Sequence, residues 1–335
     1  MKLMEILAGI AVTCSTADGN MEITGISYDS RQVKQGDLFV AITGYAADGH
    51  RFIPMAVEKG AAAVLCERAP EIDIPYVQVE NARLAMALAS ANFFGHPADA
   101  MTFVGITGTN GKTSSTYLLK TVLEKTLGAK VGLIGTIQNM IGDQVLETER
   151  TTPESFELQK LFYEMKQAGC THVIMEVSSH SLVLDRVAGI RFQVGVFTNL
   201  TQDHLDFHKT MEEYRKAKAI LFRRCAIGVF NGDDEATPKI LETATCKPMT
   251  FGEKPENDLQ AVAPILHSDG VEFTARYGER RAHVHLGIPG AFTVYNALGV
   301  LGAALALGVS LENAAAALET AHGVKGRVEV VPTPR

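Results

Sequence analysis

The chain has no tryptophan, no cysteines in a metal-ligand spacing and no apolar run long enough to cross a membrane. A membrane span needs about 20 consecutive apolar residues, and the N-terminus does not resemble a secretory signal because no basic segment precedes an apolar one. We therefore expect a cytoplasmic protein that makes no membrane contact. The five cysteines, an odd number, lie far apart along the chain, which favours reduced thiols over a disulfide framework.

Basic charge is not in excess either. The chain has 31 Lys and Arg against 38 Asp and Glu, a net charge of -7, which argues against nucleic acid as a partner. A small anionic ligand remains compatible with this balance, because a few lysines and backbone N–H groups can bind it locally. The 335 residues are enough for two domains. We expect a monomer.

The hydrophobic pattern changes near residue 98. Before it, strands at 37–42 and 61–66 and a helix at 82–94 predict a small N-terminal α/β domain. After it, apolar strands alternate with long helices, which predicts a second α/β domain with a mostly parallel sheet of the P-loop type. The predicted strands are 101–107, 131–134, 172–175, 194–197 and 226–230, and the predicted helices are 112–127, 155–168, 209–224, 293–307 and 310–321. Short alternating runs in 258–286 predict an antiparallel appendage.

A glycine-rich loop joins the strand that begins this second domain to its first helix. It reads Gly105-Ile-Thr-Gly-Thr-Asn-Gly-Lys-Thr113, a compact G-T-x-G-K-T form in which Ile106 stands where the longer phosphate-loop pattern has glycine. Such glycines let backbone N–H groups surround a phosphate at a helix N-terminus. Lys112 would reach the outer phosphates and the Thr113 hydroxyl would bind Mg²⁺. The alternative is a plain turn with a solvated lysine.

Three further segments carry candidate residues but leave their roles open. Glu176 ends a predicted strand, at the sheet edge where such folds bind ligands, yet it could simply face water. His204 and His208 could be a zinc pair, a magnesium ligand beside a bystander, or neither. Lys218 lies in a predicted amphipathic helix, where a lysine is ordinarily a solvated surface charge.

The order of these motifs resembles the Mur ligases. Gly108-Thr-Asn-Gly-Lys-Thr113, Glu176-Val-Ser-Ser-His180, Thr198-Asn-Leu-Thr-Gln-Asp-His-Leu-Asp-Phe-His208 and Ala217-Lys218 follow one another as in that family, and the run 29–41 is similar to its UDP-sugar domain. The resemblance implies an ATP- and Mg²⁺-dependent ligase of peptidoglycan precursor synthesis. It would join a diamino acid, meso-diaminopimelate or L-lysine, to UDP-N-acetylmuramoyl-L-alanyl-D-glutamate through an acyl phosphate.

The resemblance also implies roles for individual residues. ATP would be bound by Gly108, Thr109, Asn110, Gly111, Lys112, Thr113, Ser114 and Asn296. The UDP-muramoyl dipeptide would be bound by Tyr28, Ser30, Tyr45, Ala46, Ala47, Arg150, Thr151, Thr152, Ser178 and Arg186. Thr113, Glu176, His204 and a carbamylated Lys218 would hold Mg²⁺, and Lys112, Glu176, His204 and Lys218 would be catalytic. Some members have glutamine at the position of Leu184, so one contact to the dipeptide is in doubt.

The resemblance implies a UDP-sugar-binding domain over 1–98, an ATP-binding central domain over 99–325, and in 326–335 the start of a linker to a third domain. That domain brings in the amino acid, so we expect residues 1–335 alone to bind both ATP and dipeptide but to ligate poorly. Two other functions stay open. A folylpolyglutamate synthetase shares the central domain but should lack the run 29–41, and a non-catalytic protein could bind both substrates without joining them.

Overall fold

The computed structural model describes residues 1–44, 47–324 and 326 of the chain. These form two compact units. The first unit comprises Met1–Asp99, Glu154–Tyr163 and Leu184–Gly189, and the second comprises Ala100–Pro153, Glu164–Val183 and the residues from Ile190 onward. Residue 325 and residues 327–335 lie outside the described part, and the second of these ranges is most of the predicted linker. The assignment of substrates to domains stays a prediction.

The first unit is built on a five-stranded sheet. Its elements are α1 (Leu3–Ile6), β1 (Val12–Ser15), β2 (Gly25–Ser27), β3 (Asp37–Val40), α2 (Ile53–Glu58), β4 (Ala63–Cys66), β5 (Tyr76–Val79) and α3 (Ala82–Phe93). The strand order is β1-β5-β4-β3-β2, parallel except for β1, which runs antiparallel to β5. Strands β3 and β4 are buried at every position, which explains their uninterrupted apolar sequences.

The second unit contains most of the remaining elements. They are β6 (Thr102–Thr107), α4 (Lys112–Leu127), β7 (Val131–Ile134), β8 (Asn139–Ile141), β9 (Gln144–Leu146), α5 (Ser155–Gln167, which begins in the first unit), β10 (His172–Glu176), α6 (Ser179–Val183), β11 (Phe192–Phe197), α7 (Leu205–His208), α8 (Met211–Ala219), β12 (Cys225–Asn231), α9 (Thr237–Leu241), β13 (Lys247–Gly252), β14 (Leu259–Leu266), β15 (Val271–Tyr277), β16 (Arg280–Leu286), α10 (Ala291–Ala306) and α11 (Leu311–Leu318).

These strands form one sheet in the order β16-β15-β14-β13-β12-β11-β6-β10-β7-β8-β9. The seven strands from β14 to β7 run parallel to their neighbours, and both ends of the sheet are antiparallel. The predicted fold class is therefore confirmed, including the antiparallel appendage at β14–β16. The parallel arrangement brings the carboxyl ends of β6, β7, β10, β11 and β12 to one edge, where such folds bind ligands.

Helix α10 packs closely on the sheet because two glycines lie on its buried side. A Cβ added at Gly302 would lie 2.6 Å from Val229 Cγ1, whereas one at Gly299 would come no closer than 3.4 Å to any atom of Phe251 or Val196. The first contact is too short for real atoms, and a β-branched side chain in a buried strand has little freedom to move away. The second is an ordinary van der Waals contact.

We therefore expect opposite effects from two matched substitutions in α10. Gly299→Ala should raise the free energy of unfolding by roughly 0.5–1 kcal/mol, since alanine is the better helix former. Gly302→Ala should lower it by roughly 1–3 kcal/mol through overpacking. Urea unfolding followed by circular dichroism measures both. Equal effects of the two substitutions would contradict the close approach at Gly302.

Candidate active site

The glycine-rich loop lies at the carboxyl edge of the parallel sheet, between β6 and α4. Gly111 has a φ of 86°, in the left-handed region that favours glycine, and it caps the N-terminus of α4. Gly108 lies so close to Thr198 that a Cβ there would overlap the Thr198 hydroxyl. The loop is also held by Asn199, whose carbonyl accepts from Thr109 N at 2.9 Å and whose side-chain oxygen accepts from Asn110 N at 2.9 Å.

Two lysines point at this loop. Lys112 Nζ donates to the carbonyl oxygens of Gly108 at 2.9 Å and Thr109 at 2.8 Å. Lys218 Nζ, from α8, donates to the same Gly108 oxygen at 2.8 Å and lies 4.3 Å from the centre of the Tyr214 ring. The interpretation of Lys218 as a solvated surface lysine is wrong, since it is only 1% exposed. Burial, and then the charge of Lys112, lower the pKa of Lys218 well below its usual value.

Glu176 is the last residue of β10 and is 1% exposed. The Thr113 hydroxyl donates to its Oε1 at 3.0 Å, and Thr136 holds both oxygens, through N–H to Oε1 at 2.8 Å and through its hydroxyl to Oε2 at 3.1 Å. The interpretation of Glu176 as a carboxylate facing water is therefore wrong. Thr136 was not predicted from the sequence. The available signal was its position two residues after β7, at the same sheet edge.

The histidines occupy the turn around α7. His204 has a φ of 52°, its side chain is 46% exposed, and its ring lies 5.0 Å from that of His180. His208 is buried, its Nε2 lies 2.8 Å from the Ser179 hydroxyl, and its ring stacks on Tyr214 at 5.0 Å. Among the described residues, no group of three or more His, Cys, Asp or Glu side chains is arranged to hold a metal ion, which gives no support to the zinc pair.

These side chains enclose a cavity of about 130 Å³. It is lined by Thr109, Asn110, Gly111, Lys112, Thr113, Ser114, Thr136, Thr151, Glu176, Ser178, Ser179, His204, Tyr214 and Lys218. The structure thus brings together the loop residues from Thr109 onward and all four residues predicted to be catalytic. The predicted residue Gly108 lies beneath it and supplies the carbonyl that both lysines contact.

A second, larger cavity of about 640 Å³ adjoins the other side of the loop. It shares Asn110, Gly111 and Ser114 with the first, and is also lined by Thr198, Asn199, Thr201, Asn231, Asp233, Asp234, Phe292, Tyr295 and Asn296. The predicted residue Asn296 therefore lies here. The Tyr295 hydroxyl donates to Asp233 Oδ2 at 3.1 Å, which fixes two polar groups in the wall. The cavity combines one exposed aromatic ring, Phe292, with several amide and carboxylate groups.

The residues predicted to bind the dipeptide fall into two groups. Thr151 and Thr152 lie beside Glu176: the Thr152 hydroxyl donates to the Glu176 carbonyl at 2.8 Å and accepts from Ser178 N at 3.1 Å, and Thr151 Oγ1 lies 3.0 Å from Thr136 Oγ1. Arg150 precedes them, and its carbonyl accepts from the Thr148 hydroxyl at 2.8 Å.

The other group lies in the first unit. Ser30 is buried, with its hydroxyl directed at Met55 Sδ at 3.3 Å, and Tyr28 packs against the core formed by β2–β5 and α3. Arg186 forms an ion pair with Glu154 at 2.7 Å. Ala47 O accepts from Gly44 N at 3.1 Å, while Tyr45 and Ala46 lie outside the described residues.

Comparison with known protein families assigns both parts of the chain. The family model described as the Mur ligase middle domain matches residues 106–304, and that described as the Mur ligase family catalytic domain matches residues 22–97. This chain belongs to the Mur ligase family. UDP-N-acetylmuramoyl-L-alanyl-D-glutamate–2,6-diaminopimelate ligase 1 of Clostridium acetobutylicum is 48% identical over 333 residues, and the match covers 99% of this chain and 69% of that Mur ligase.

Solved structures agree with the family assignment. A structure of a UDP-N-acetylmuramoyl-L-alanyl-D-glutamate–2,6-diaminopimelate ligase has a TM-score of 0.89 and 26% identity, and the match covers 100% of this Mur ligase chain and 69% of the other. The apo form of L. casei FPGS matches less well. Its TM-score is 0.58 at 19% identity, over 72% of this chain and 67% of its own, which indicates a shared fold alone. In the described part of this chain, no helix is long and apolar enough to span a membrane.

The burial of His208 predicts a dependence of stability on pH. Burial, and then the nearby charges of His180, Lys218 and His204, lower the pKa of His208 from 6.5 to about 4. His208 therefore binds a proton near pH 6.5 in the unfolded chain but only near pH 4 in the folded chain. Between these two pH values, a fall in pH favours the unfolded state. We expect His208→Phe to flatten the fall of unfolding free energy between pH 6.5 and 4, as measured by urea titrations. An unchanged slope would contradict the assignment.

Proposed function

We propose that this Mur ligase uses ATP to activate a carboxylate of a UDP-muramoyl peptide and joins it to the amine of an amino acid. The observation that carries the proposal is the convergence of Lys112, Lys218 and Glu176 on one glycine-rich loop at the carboxyl edge of the parallel sheet. Backbone N–H groups, a helix N-terminus and the cationic side chain of Lys112 suit a triphosphate. ATP would place its phosphates in the smaller cavity and its nucleoside in the larger one, near Asn296.

The names of the relatives supply the substrates. Both the Clostridium acetobutylicum relative and the solved structure act, by name, on UDP-N-acetylmuramoyl-L-alanyl-D-glutamate and 2,6-diaminopimelate. We therefore assign the D-glutamate carboxylate as the acceptor of phosphate and diaminopimelate, rather than lysine, as the amine. The residues proposed for the dipeptide are Ser178 with 150–152 in the second unit, and Tyr28, Ser30, 45–47 and Arg186 in the first.

The residues of the smaller cavity fit a magnesium ion. Mg²⁺ prefers oxygen ligands, and the Thr113 hydroxyl and the Glu176 carboxylate are two such groups, hydrogen-bonded to each other at 3.0 Å. His204 borders the same cavity and would lie nearest a second ion. When bound, Mg²⁺ would neutralise charge on the ATP phosphates. Thr136, which holds both oxygens of Glu176, would keep that carboxylate in position.

Lys218 is suited to become a carbamate. Its amine must lose a proton before it can add CO₂, and burial beside Lys112 favours the neutral form. Addition of CO₂ to the neutral amine forms one N–C bond and releases one proton to solvent. The product is an anionic oxygen ligand in place of a buried amine, and its negative charge is attracted to Lys112 instead of repelled by it.

The reaction then needs little covalent chemistry from the protein. A carboxylate oxygen of D-glutamate attacks the γ-phosphorus, and ADP leaves. The amine attacks the carbonyl carbon of the resulting acyl phosphate, and phosphate leaves. Both reactants of the first step are anions, so Lys112 and the loop N–H groups contribute by neutralising charge and by holding the triphosphate in line.

Two alternatives are less well supported. A folylpolyglutamate synthetase is disfavoured because residues 22–97 match a Mur ligase family model. A non-catalytic binding protein would not need the buried Lys218 and Glu176 that surround the loop. ATP and a UDP-linked substrate are both cytoplasmic molecules, and we propose that the protein works there. We also propose that it works as a monomer.

Product formation tests the proposed function. The chain is incubated with ATP, UDP-N-acetylmuramoyl-L-alanyl-D-glutamate and either diaminopimelate or lysine, and ADP and the peptide product are followed by mass spectrometry. We expect ADP release to rise when the dipeptide substrate is added, and ligation product to form, at a slow rate, with diaminopimelate. ADP release that ignores the dipeptide, with no product, would support the non-catalytic alternative.

Lys112→Ala should weaken ATP binding at least tenfold, because a charge-assisted hydrogen bond contributes roughly 1.5–3 kcal/mol. Binding of the UDP-muramoyl dipeptide should be nearly unchanged. Isothermal titration calorimetry measures both. The matched control is Lys125→Ala, which removes an exposed lysine from the last turn of the same helix and should leave ATP binding intact. Unchanged ATP affinity in Lys112→Ala would refute the assignment of the loop.

Lys218 should carry the carbamate in neutral solution. With ¹³C-labelled bicarbonate, we expect a carbamate resonance in the carbon NMR spectrum of the protein that vanishes on acidification and is absent from Lys218→Met. Lys216→Met removes an exposed lysine of the same helix that pairs with Glu213 at 2.9 Å and should keep the resonance. A spectrum of Lys218→Met identical to that of the unsubstituted protein would exclude this modification.

A further inference from the structure

Two cysteines lie side by side at the sheet edge opposite the glycine-rich loop. Cys225 is the first residue of β12 and Cys246 immediately precedes β13. These strands are parallel neighbours in which Ile227 pairs with Lys247, so the two cysteines are offset by one residue. Neighbouring strands lie about 4.8 Å apart, and a disulfide bridges Cα atoms roughly 4.4–6.8 Å apart. The backbone spacing therefore suits a bridge.

Paired glycines make room for both sulfur atoms. Gly195 of β11 pairs with Gly228 of β12. A Cβ added at Gly195 would lie 2.9 Å from Cys225 Sγ, and one added at Gly228 would lie 2.6 Å from Cys246 Sγ. Both sulfur atoms therefore lie over this pair of glycines, where any other residue would displace them. A one-residue offset within regular strands would put the two side chains on opposite faces, but Cys246 lies outside β13, where strand alternation does not fix its direction.

The two thiols are chemically unequal. The interaction with Cys246, and then burial, raise the pKa of Cys225, whereas the same interaction lowers the pKa of Cys246. Cys246 therefore ionises first. The thiolate is the nucleophilic form of cysteine, so Cys246 is the partner that reacts first and Cys225 the one that follows.

Solvent can reach this pair. Both residues are partly exposed, and Cys225 lines a surface cavity of about 440 Å³ together with Arg191, Arg223 and Arg224. The other three cysteines differ. Cys66 and Cys170 are buried, and burial raises the pKa of both, that of Cys66 to about 11.

The remaining cysteine, Cys14, is exposed and lies 4.0 Å from the Tyr76 hydroxyl rather than beside a second thiol. Among the five cysteines, all of which the structure describes, only Cys225 and Cys246 thus combine proximity with access.

We propose that Cys225 and Cys246 form a reversible intramolecular disulfide when the protein meets a peroxide. The Cys246 thiolate attacks one peroxide oxygen, the O–O bond breaks, and water leaves after protonation, which gives a sulfenic acid. The Cys225 sulfur then attacks the Cys246 sulfur, the S–O bond breaks, and a second water leaves. Two thiols are oxidised by two electrons and one hydrogen peroxide is reduced to two waters. The bridge ties the start of β12 to the start of β13, and the inference is independent of the proposed function.

Peptide mapping tests the bridge. The folded chain is treated with hydrogen peroxide, free thiols are alkylated, and the protein is digested with trypsin without reductant. Cleavage after Arg224 and Lys239 places the two cysteines on separate peptides. We expect a linked pair of peptides containing Cys225 and Cys246, lighter than their sum by two hydrogen atoms and separated again by dithiothreitol. These two thiols should be lost at least about tenfold faster than those of Cys66 and Cys170, because the Cys246 thiolate starts the reaction and Cys225 is consumed when it closes the bridge.

Three variants sharpen the result. Cys225→Ser should leave a sulfenic acid on Cys246 that dimedone traps, and Cys246→Ser should abolish the linked peptide. Cys14→Ser should leave the linked peptide unchanged. The proposal would be overturned if the thiols of Cys225 and Cys246 were lost to peroxide no faster than those of the buried Cys66 and Cys170. A linked peptide that forms equally in urea would also overturn it, since the fold would then contribute nothing.

Discussion

Two lysine side chains donate to one carbonyl oxygen, that of Gly108, and much of the site's architecture follows from this contact. Lys218 must be buried to reach the loop, and it is buried beside a second cation. Burial disfavours the charged form of the amine, and the positive charge of Lys112 adds repulsion where water is excluded, so the pKa of Lys218 falls. An anion in the cavity, or loss of the Lys218 proton, relieves that repulsion. Lys112 and the N–H groups of the loop suit an anionic ligand such as a phosphate.

Glu176 supplies the opposite charge at the same edge. Its two oxygens are fixed by neutral donors from Thr113 and Thr136, so its negative charge is held in place without being neutralised by those contacts. Strands β6, β7 and β10 are parallel neighbours. Glu176 ends β10, Thr136 lies two residues after β7, and Thr113 follows β6 across the glycine-rich loop, in the first turn of α4. Positions far apart in sequence thus meet because the sheet is parallel.

The sequence predicted the elements whose signals are local. Helix α4 and strand β7 have the predicted bounds, because a glycine ends the helix and apolar residues fill the buried strand. Short strands such as β2, β8 and β9 have three residues each, too few for a hydrophobic period, and were not predicted.

The features of the site that could not be predicted from the sequence depend on tertiary contacts. Lys218 is buried because of where α8 packs. The sequence of α8 by itself predicts an amphipathic helix with a solvated lysine. In the sequence, Thr136 is not distinguishable from other loop threonines. Only the pairing of β7 with β10 places it beside Glu176. The contact between Cys225 and Cys246 likewise depends on the register of β12 with β13. By contrast, the phosphate-loop pattern and the order of motifs could be recognised from the sequence alone, since the glycine spacing and the strand–loop–helix context are local features of the sequence.

The central claim is that ATP activates the substrate carboxylate at the Lys112, Glu176 and Lys218 site. The most direct measurement follows oxygen. The protein is incubated with ATP, diaminopimelate and UDP-N-acetylmuramoyl-L-alanyl-D-glutamate that carries ¹⁸O in the reacting carboxylate. Mass spectrometry then measures the ¹⁸O content of the released phosphate. The account predicts one labelled oxygen in each phosphate formed, because the carboxylate oxygen stays with phosphorus when the acyl phosphate is cleaved at carbon. Phosphate released without the label would show that water, and not the carboxylate, attacks ATP.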